Sequence, residues 1–166
     1  MSRAFVNEDA GNDRPDLPER PVSPGPNLVT PRGIAALQRG LAARQSDLAA
    51  LKTRADRLDK LPEAAAERDI RWLEARLKAA VTIDPATHDL TEVAFGLAVT
   101  VADENGRETT YEITGEDEAD ARIGRIAPTA PLARALLGAQ VGDLVTWARP
   151  AGDIQLEVLR IAHANP

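Results

Sequence analysis

Cysteine is absent from all 166 residues. That excludes a disulfide framework and thiolate metal sites, and it fits a reducing compartment. Aromatic residues make up only 3 % of the chain, too few to furnish an extended aromatic pocket. No apolar run approaches the ~18 residues that a membrane span needs. The first 25 residues are polar and proline-rich and lack the apolar core of a signal peptide. The expectation is a cytoplasmic protein with no membrane partner. The two histidines, His88 and His163, stand alone, without a Ser, Asp or second His at the spacing of a triad or a metal site. The glycines form no phosphate-cradling loop, since Gly106 and Gly138 read as turn residues. No small-molecule substrate and no stably bound cofactor are expected.

What is present is ordinary for a globular chain: 43 % hydrophobic and 28 % charged residues. The charge is uneven. Residues 34–81 hold 10 basic and 7 acidic side chains, whereas 82–166 hold 6 basic and 14 acidic ones. A basic middle and an acidic C-terminal half suggest two units with different partners.

Three regions follow from the pattern. Residues 1–29, with Pro15, Pro18, Pro21, Pro24 and Pro26 and few apolar residues between them, read as a flexible arm that cannot bury a core. Thr30-Pro31-Arg32-Gly33 reads as a helix start, with Thr30 as cap and Pro31 at the first helical position. A heptad-like seam follows at Ile34, Leu37, Leu41, Leu48, Leu51, Ala55 and Leu58, interrupted by Arg44. The phase breaks around Asp59–Pro62, and Pro62 suits the start of a new helix. A second seam runs through Ala66, Ile70, Leu73, Leu77 and Ala80. Two helices joined by a short turn pack antiparallel, so residues 30–83 are expected to form a helical hairpin with its tip near Asp56–Glu63.

Thr82–Pro85 ends the helical region, and from Val93 the pattern changes to short alternating runs. Leu97–Ala102 and Thr109–Thr114 are predicted strands, joined by a turn with Asn105-Gly106. Glu116–Asp120 is an acidic loop. Pro131–Leu137 is a predicted short helix, with Gly138 placed to end it in a left-handed conformation. Leu144–Ala148 and Ile154–Ile161 are two further strands. The fold class is therefore α+β: an antiparallel helical hairpin, a coiled coil, followed by a small antiparallel sheet carrying one short helix.

This order of elements resembles the GreA/GreB family, and the motifs agree. Leu28–Gly33 resembles the family's first helix start, and Val93-Ala94-Phe95-Gly96 its entry into the C-terminal domain. Tyr111–Asp120 is close to the family's Tyr-x-Ile-Val-Gly-x-Asp-Glu-Ala-Asp. Ala130–Gly138 resembles its Ser-Pro-hydrophobic-Ala-Arg-Ala-Leu-hydrophobic-Gly, and Gly142-Asp143 and Pro150-Ala151-Gly152 complete the set. The resemblance implies an FKBP-like C-terminal domain over 84–166. It further implies a transcription elongation regulator that binds bacterial RNA polymerase near its secondary channel, with that domain docking and the hairpin inserting. Docking then falls to Gly115, Glu116, Asp117, Glu118, Asp120, Pro131 and Arg134. Acids at the tip, Asp56, Asp59 and Glu63, would share a transient Mg²⁺ with the polymerase, because Mg²⁺ prefers hard oxygen ligands.

The same residues carry a plainer reading. Family cleavage factors have a Gly-Asp-x-Ser-Glu-Asn-Ala-Glu-Tyr-like tip, whereas this chain has Asp56 to Glu63 with Arg57 and Lys60 interleaved, on a shorter hairpin. The tip is then an ordinary solvated turn. Arg39, Arg44, Lys52, Arg54, Arg68 and Arg71 make the hairpin basic. They suit nascent RNA, DNA or acidic polymerase surface, or equally helix solubility through intrahelical pairs. The acidic loop is by physics alone a solvated loop. Two alternatives to a cleavage-stimulating factor stay open. One is an Rnk-like or anti-Gre module that occupies the channel without stimulating cleavage. The other is a prolyl isomerase on the FKBP-like fold, disfavoured because only Phe95, Tyr111 and Trp147 are at hand to line its pocket. In the leading reading the protein is no enzyme in its own right.

Overall fold

The computed structural model describes residues 15–56 and 58–164. Met1–Arg14, half of the proline-rich arm, and Arg57 of the tip lie outside the described residues. The chain divides into two compact units, 1–23 with 37–78, and 24–36 with 79–166. The boundaries at 36/37 and 78/79 differ from the 29/30 and 83/84 read from the sequence.

The first unit is built on two helices. Helix α1 spans Pro31–Lys52 and enters this unit at Leu37; α2 spans Leu61–Lys78. Helix α1 stops because Thr53 turns its hydroxyl back to the Ala50 carbonyl at 2.8 Å. Asp59 opens α2 by accepting the Leu61 N–H at 2.9 Å, with Pro62 in the first turn. Antiparallel pairing shows in contacts that run in opposite directions along the helices. Lys52 meets Glu67 at 3.4 Å and Arg44 meets Asp69 at 3.5 Å, and Gly40 faces Leu73. The buried apolar side chains are Leu37, Ala66 and Leu73. Leu41, Leu48, Leu51, Ile70 and Leu77 are only half-buried. The expected seam ends at Leu51, earlier than its heptad pattern suggests. Ala55 and Leu58 fall in the connection, where no helix faces them, and Leu58 is 93 % exposed.

The second correction concerns the arm, whose described half is not a free tail. Glu19, Arg20 and Pro21 each contact α2, and Asn27–Val29 forms strand β1. Composition missed these because each partner lies 50 or more residues away in sequence.

In the second unit, β1 pairs in parallel with β2, Ala80–Thr82, in the register Asn27 to Ala80 through Val29 to Thr82. The main sheet comprises β3 (Leu97–Ala102), β4 (Glu108–Ile113), β5 (Arg125–Ile126), β6 (Leu144–Trp147) and β7 (Ile154–His163), in the order β5-β4-β3-β7-β6. The α+β class holds. The pairing is antiparallel as expected except at one edge, where β5 joins β4 in parallel. That edge arises because the chain after β4 returns through two 3₁₀ turns, at Glu116–Glu118 and Ala121–Ile123, and re-enters in the same direction. The β3–β4 turn is the expected one. The Asp103 carboxylate accepts the N–H groups of Asn105 and Arg107, both at 2.9 Å.

Alternation along β3 sends Leu97, Val99 and Val101 into the core. There they meet Ile113, Leu156, Val158 and Ile161 of the sheet, and Leu132, Ala133 and Leu136 of α3, Pro131–Leu136. Gly138, at φ +81°, ends α3 and donates its N–H to the Val93 carbonyl at 2.8 Å.

Candidate functional site

The residues singled out in the sequence fall into three places, and the structure treats each differently.

The acidic loop after β4 faces partly inward. Thr30 caps α1 as expected, accepting the Gly33 N–H at 3.1 Å on its hydroxyl. Glu118 then caps the cap: its carboxylate accepts the Thr30 N–H at 3.0 Å and the Thr30 hydroxyl at 2.6 Å. The Glu118 side chain is 5 % exposed, and Arg32 lies 3.4 Å from it. Arg32 also reaches Glu112 at 2.5 Å, and Arg125 holds the other oxygen of Glu112 at 3.1 Å. Asp117 accepts the Asn27 side-chain amide at 3.1 Å. Gly115 and Gly33 are buried where a Cβ would collide, at Gly115 with the Leu28 carbonyl and at Gly33 with the Glu118 carboxylate. A carboxylate beside the opening turn of a helix also complements the helix dipole. Gly115 and Glu118 therefore fix the first turn of α1 and β1 from within, while Asp117 holds Asn27 from the exposed side. Of this loop, Glu116 and Asp117 are exposed, and Asp120 is half-buried under Arg122, which grips it at 3.0 and 2.7 Å. That grip holds the Asp120 carboxyl below the usual carboxylate range.

The second place runs from α3 to β6. Pro131 and Arg134 are exposed, and Arg134 has no ion-pair partner among the described residues. Leu137, Val141 and Leu144 follow with 38, 57 and 70 % of their surface in solvent. Sequence reasoning missed these three. The signal was available, since three large apolar residues at non-alternating spacing around Gly138 and Gly142 cannot all point inward. Nearby, Val101, Tyr111, Trp147, Ile154 and Leu156 line a recess of about 260 Å³ with Asp103 and Arg107 at its rim. Tyr111 and Trp147 meet edge to face at 6.5 Å. Phe95 lies in the core.

The third place is the hairpin. At the tip, Asp56 accepts the Leu58 N–H at 3.1 Å and Asp59 the Leu61 N–H at 2.9 Å. Glu63 lies 3.8 Å from Lys60. These acids do not converge: no group of three or more His, Cys, Asp or Glu among the described residues could hold a metal ion. The basic face is largely paired within its own unit. Arg44 meets Asp47 and Asp69, Lys52 meets Glu67, Arg68 meets Asp69 and Arg71 meets Glu19. Glu19 raises the Arg71 pKa through that hydrogen bond. Arg39 and Arg54 alone of the six have no such partner among the described residues.

A family model described as the C-terminal domain of the transcription elongation factors GreA/GreB matches residues 87–163. Transcription elongation factor GreA of Hyphomonas neptunium is 40 % identical over 105 residues, which cover 63 % of this chain and 67 % of that protein. The chain belongs to the GreA/GreB family. GreA of Alkalilimnicola ehrlichii is 39 % identical over 61 % of the chain and 66 % of its own length. For GreA of Pseudomonas putida the figures are 40, 61 and 64 %. The chain thus spans just under two thirds of these two relatives. Among solved structures, GreA factor homolog 1 of Thermus thermophilus has a TM-score of 0.38 at 23 % identity, over 82 % of this chain and 98 % of that one. A GreA/GreB factor from Nitrosomonas europaea has a TM-score of 0.41 at 20 % identity, with the same coverage. The GreA/GreB match takes in the acidic loop and the α3–β6 surface and leaves out the hairpin and its tip. No described helix is long and apolar enough to cross a membrane.

Proposed function

We propose that this GreA/GreB-family protein acts by binding bacterial RNA polymerase near its secondary channel, without chemistry of its own. The C-terminal domain docks and the hairpin is the inserting element. The observation that carries this is the exposed apolar run Leu137, Val141 and Leu144 beside Pro131 and Arg134. Exposed large apolar side chains gathered on one stretch of surface mark an interaction site. This run lies within the residues that match the family model. The neighbouring recess at Tyr111 and Trp147 is of a size to take one apolar side chain of the partner. The inward-facing Gly115 and Glu118 serve docking indirectly, by fixing α1 and β1, and the contacts fall to Glu116, Asp117, Asp120, Pro131 and Arg134.

The tip favours occupancy of the channel over stimulation of RNA cleavage. Asp56 and Asp59 each spend an oxygen on a backbone N–H, and Glu63 stands beside Lys60. A Mg²⁺ shared with the polymerase would draw its remaining oxygen ligands from the polymerase. The paired state of the basic face likewise argues against a broad phosphate-binding surface for RNA or DNA.

The test is RNA cleavage in a purified backtracked bacterial elongation complex in Mg²⁺, with polymerase binding measured in the same preparation. Binding without acceleration is the expected result. Acceleration that disappears in Asp56→Ala with Asp59→Ala would make the tip acids participants and overturn the occupancy reading. Absence of binding would remove the polymerase from the account.

A further inference from the structure

Within the described part of the arm, Pro15–Ser23 engages α2 with three consecutive residues, each through a different chemistry. Glu19 accepts two hydrogen bonds from the Arg71 guanidinium. The Arg20 guanidinium stands 3.7 Å from the centre of the Trp72 ring and 3.6 Å from Asp69. The Trp72 indole N–H donates to the Pro21 carbonyl at 3.1 Å. Pro18 and Pro21 stiffen this stretch and lower the entropy lost on ordering it. Without the arm, the Trp72 indole N–H and the Arg71 guanidinium lose these partners, which leaves Arg76 6.0 Å from the ring centre and the charge of Glu67 acting on Arg71.

The anchoring is specific but shallow. No residue from Pro15 to Pro26 is buried. Glu19 and Arg71 remain 60 and 55 % exposed, and Arg20 40 %. A permanent structural element is held by apolar burial, whereas exposed ion pairs are weak and screened by salt. The Glu19 carboxylate also sits where an acidic group of a partner would meet Arg71.

We propose that Pro15–Ser23 is a strap: it closes over Trp72 and Arg71 and must lift before this face of α2 can meet acidic polymerase surface. The contact is autoinhibitory. It rests on the polymerase-binding reading above, and adds that affinity is set by how often the strap is open. A strap closed roughly 80–90 % of the time lowers apparent affinity roughly five- to tenfold, because only the open fraction is competent.

The experiment compares the full chain, Glu19→Gln with Arg20→Ala, and a chain lacking Met1–Ser23. The two tryptophans give two indole N–H signals by NMR, and Trp72→Phe assigns them. In the full chain the Trp72 signal should exchange slowly with solvent. In both opened forms it should shift and exchange faster, while the Trp147 signal stays in place. Binding to polymerase core should tighten about five- to tenfold in both opened forms. An unchanged Trp72 signal in the opened forms overturns the strap. A changed signal with unchanged or weaker polymerase affinity overturns the autoinhibition, making the arm a buttress or part of the binding surface. If no form binds polymerase, the functional reading fails and the guard role fails with it. The indole signals then still report whether the clasp exists, so the two failures are distinguishable.

Discussion

The hairpin unit and the sheet unit are held together by different means. In the sheet unit, fully buried Leu97, Val99, Val101, Ile113, Leu136 and Val158 form one continuous core. In the hairpin unit, Leu37, Ala66 and Leu73 are the buried apolar residues, and the remaining seam is half in solvent. What the hairpin lacks in burial it replaces with ion pairs and with the arm. Apolar burial is not screened by salt and leaves little freedom, whereas exposed pairs are screened and can be exchanged for a partner's. The sheet unit is thus suited to be a fixed platform. The hairpin unit is suited to be adjusted, which is where a strap can act.

The comparison can be broken by two leucines. Leu136→Ala empties a fully buried site and should cost about 3–4 kcal/mol of sheet-unit stability. Leu48→Ala, half-buried on α1, should cost the hairpin only about 1 kcal/mol. Urea unfolding followed at the Trp147 and Trp72 indole signals reads the two units separately. Equal costs would show that the hairpin has a core of the same kind as the sheet.

A second contrast lies within the acidic loop. Glu118→Ala leaves the Thr30 N–H and hydroxyl and Arg32 without their carboxylate and should cost about 2–4 kcal/mol. Glu116→Ala, at an exposed position, should stay within about 0.5 kcal/mol. Gly33→Ala sharpens the point: alone it drives a Cβ into the Glu118 carboxylate. Combined with Glu118→Ala, most of its cost should vanish, so thermal unfolding of the four members of the cycle should be strongly non-additive. Additive losses would mean that Gly33 is needed for some other reason.

One substitution should act with the opposite sign. Gly40→Ala places a Cβ at ordinary contact distance, 3.6 Å, from Leu73. It should raise hairpin stability by about 0.5–1 kcal/mol, the helix-propensity gain of alanine over glycine. A loss at the Trp72 signal would show that the helix–helix contact is tighter there than its half-buried seam suggests.

Much of this protein was legible without coordinates, and the reason is locality. Thr30 and Pro31 start α1, Asp59 and Pro62 start α2, and Gly138 stops α3, because each acts on backbone groups within a few residues of itself. The Asn105-Gly106 turn and the alternation through Leu97, Val99 and Val101 are local in the same sense. The motifs around Tyr111–Asp120 and Ala130–Gly138 pointed to the family for a related reason, since they carry their pattern in contiguous residues.

The remainder depended on partners far apart in the chain. Nothing near Glu118 distinguishes it from Glu116; only Thr30, 88 residues away, turns one inward and leaves the other exposed. Gly33 offered a hint, since glycine one turn into a helix is costly unless something approaches closely. The arm composition said flexible because prolines and charges bury little, and it is true that no residue of Pro15–Pro26 is buried. That Glu19, Arg20 and Pro21 nevertheless settle on Arg71 and Trp72 was decided by α2 presenting those groups at the matching spacing, which only the folded chain brings together. The sequence by itself determined where the three helices start, where the β3–β4 turn lies and to which family the chain belongs. The tertiary structure decided which acids are internal braces, which apolar residues remain outside, and where the arm lies.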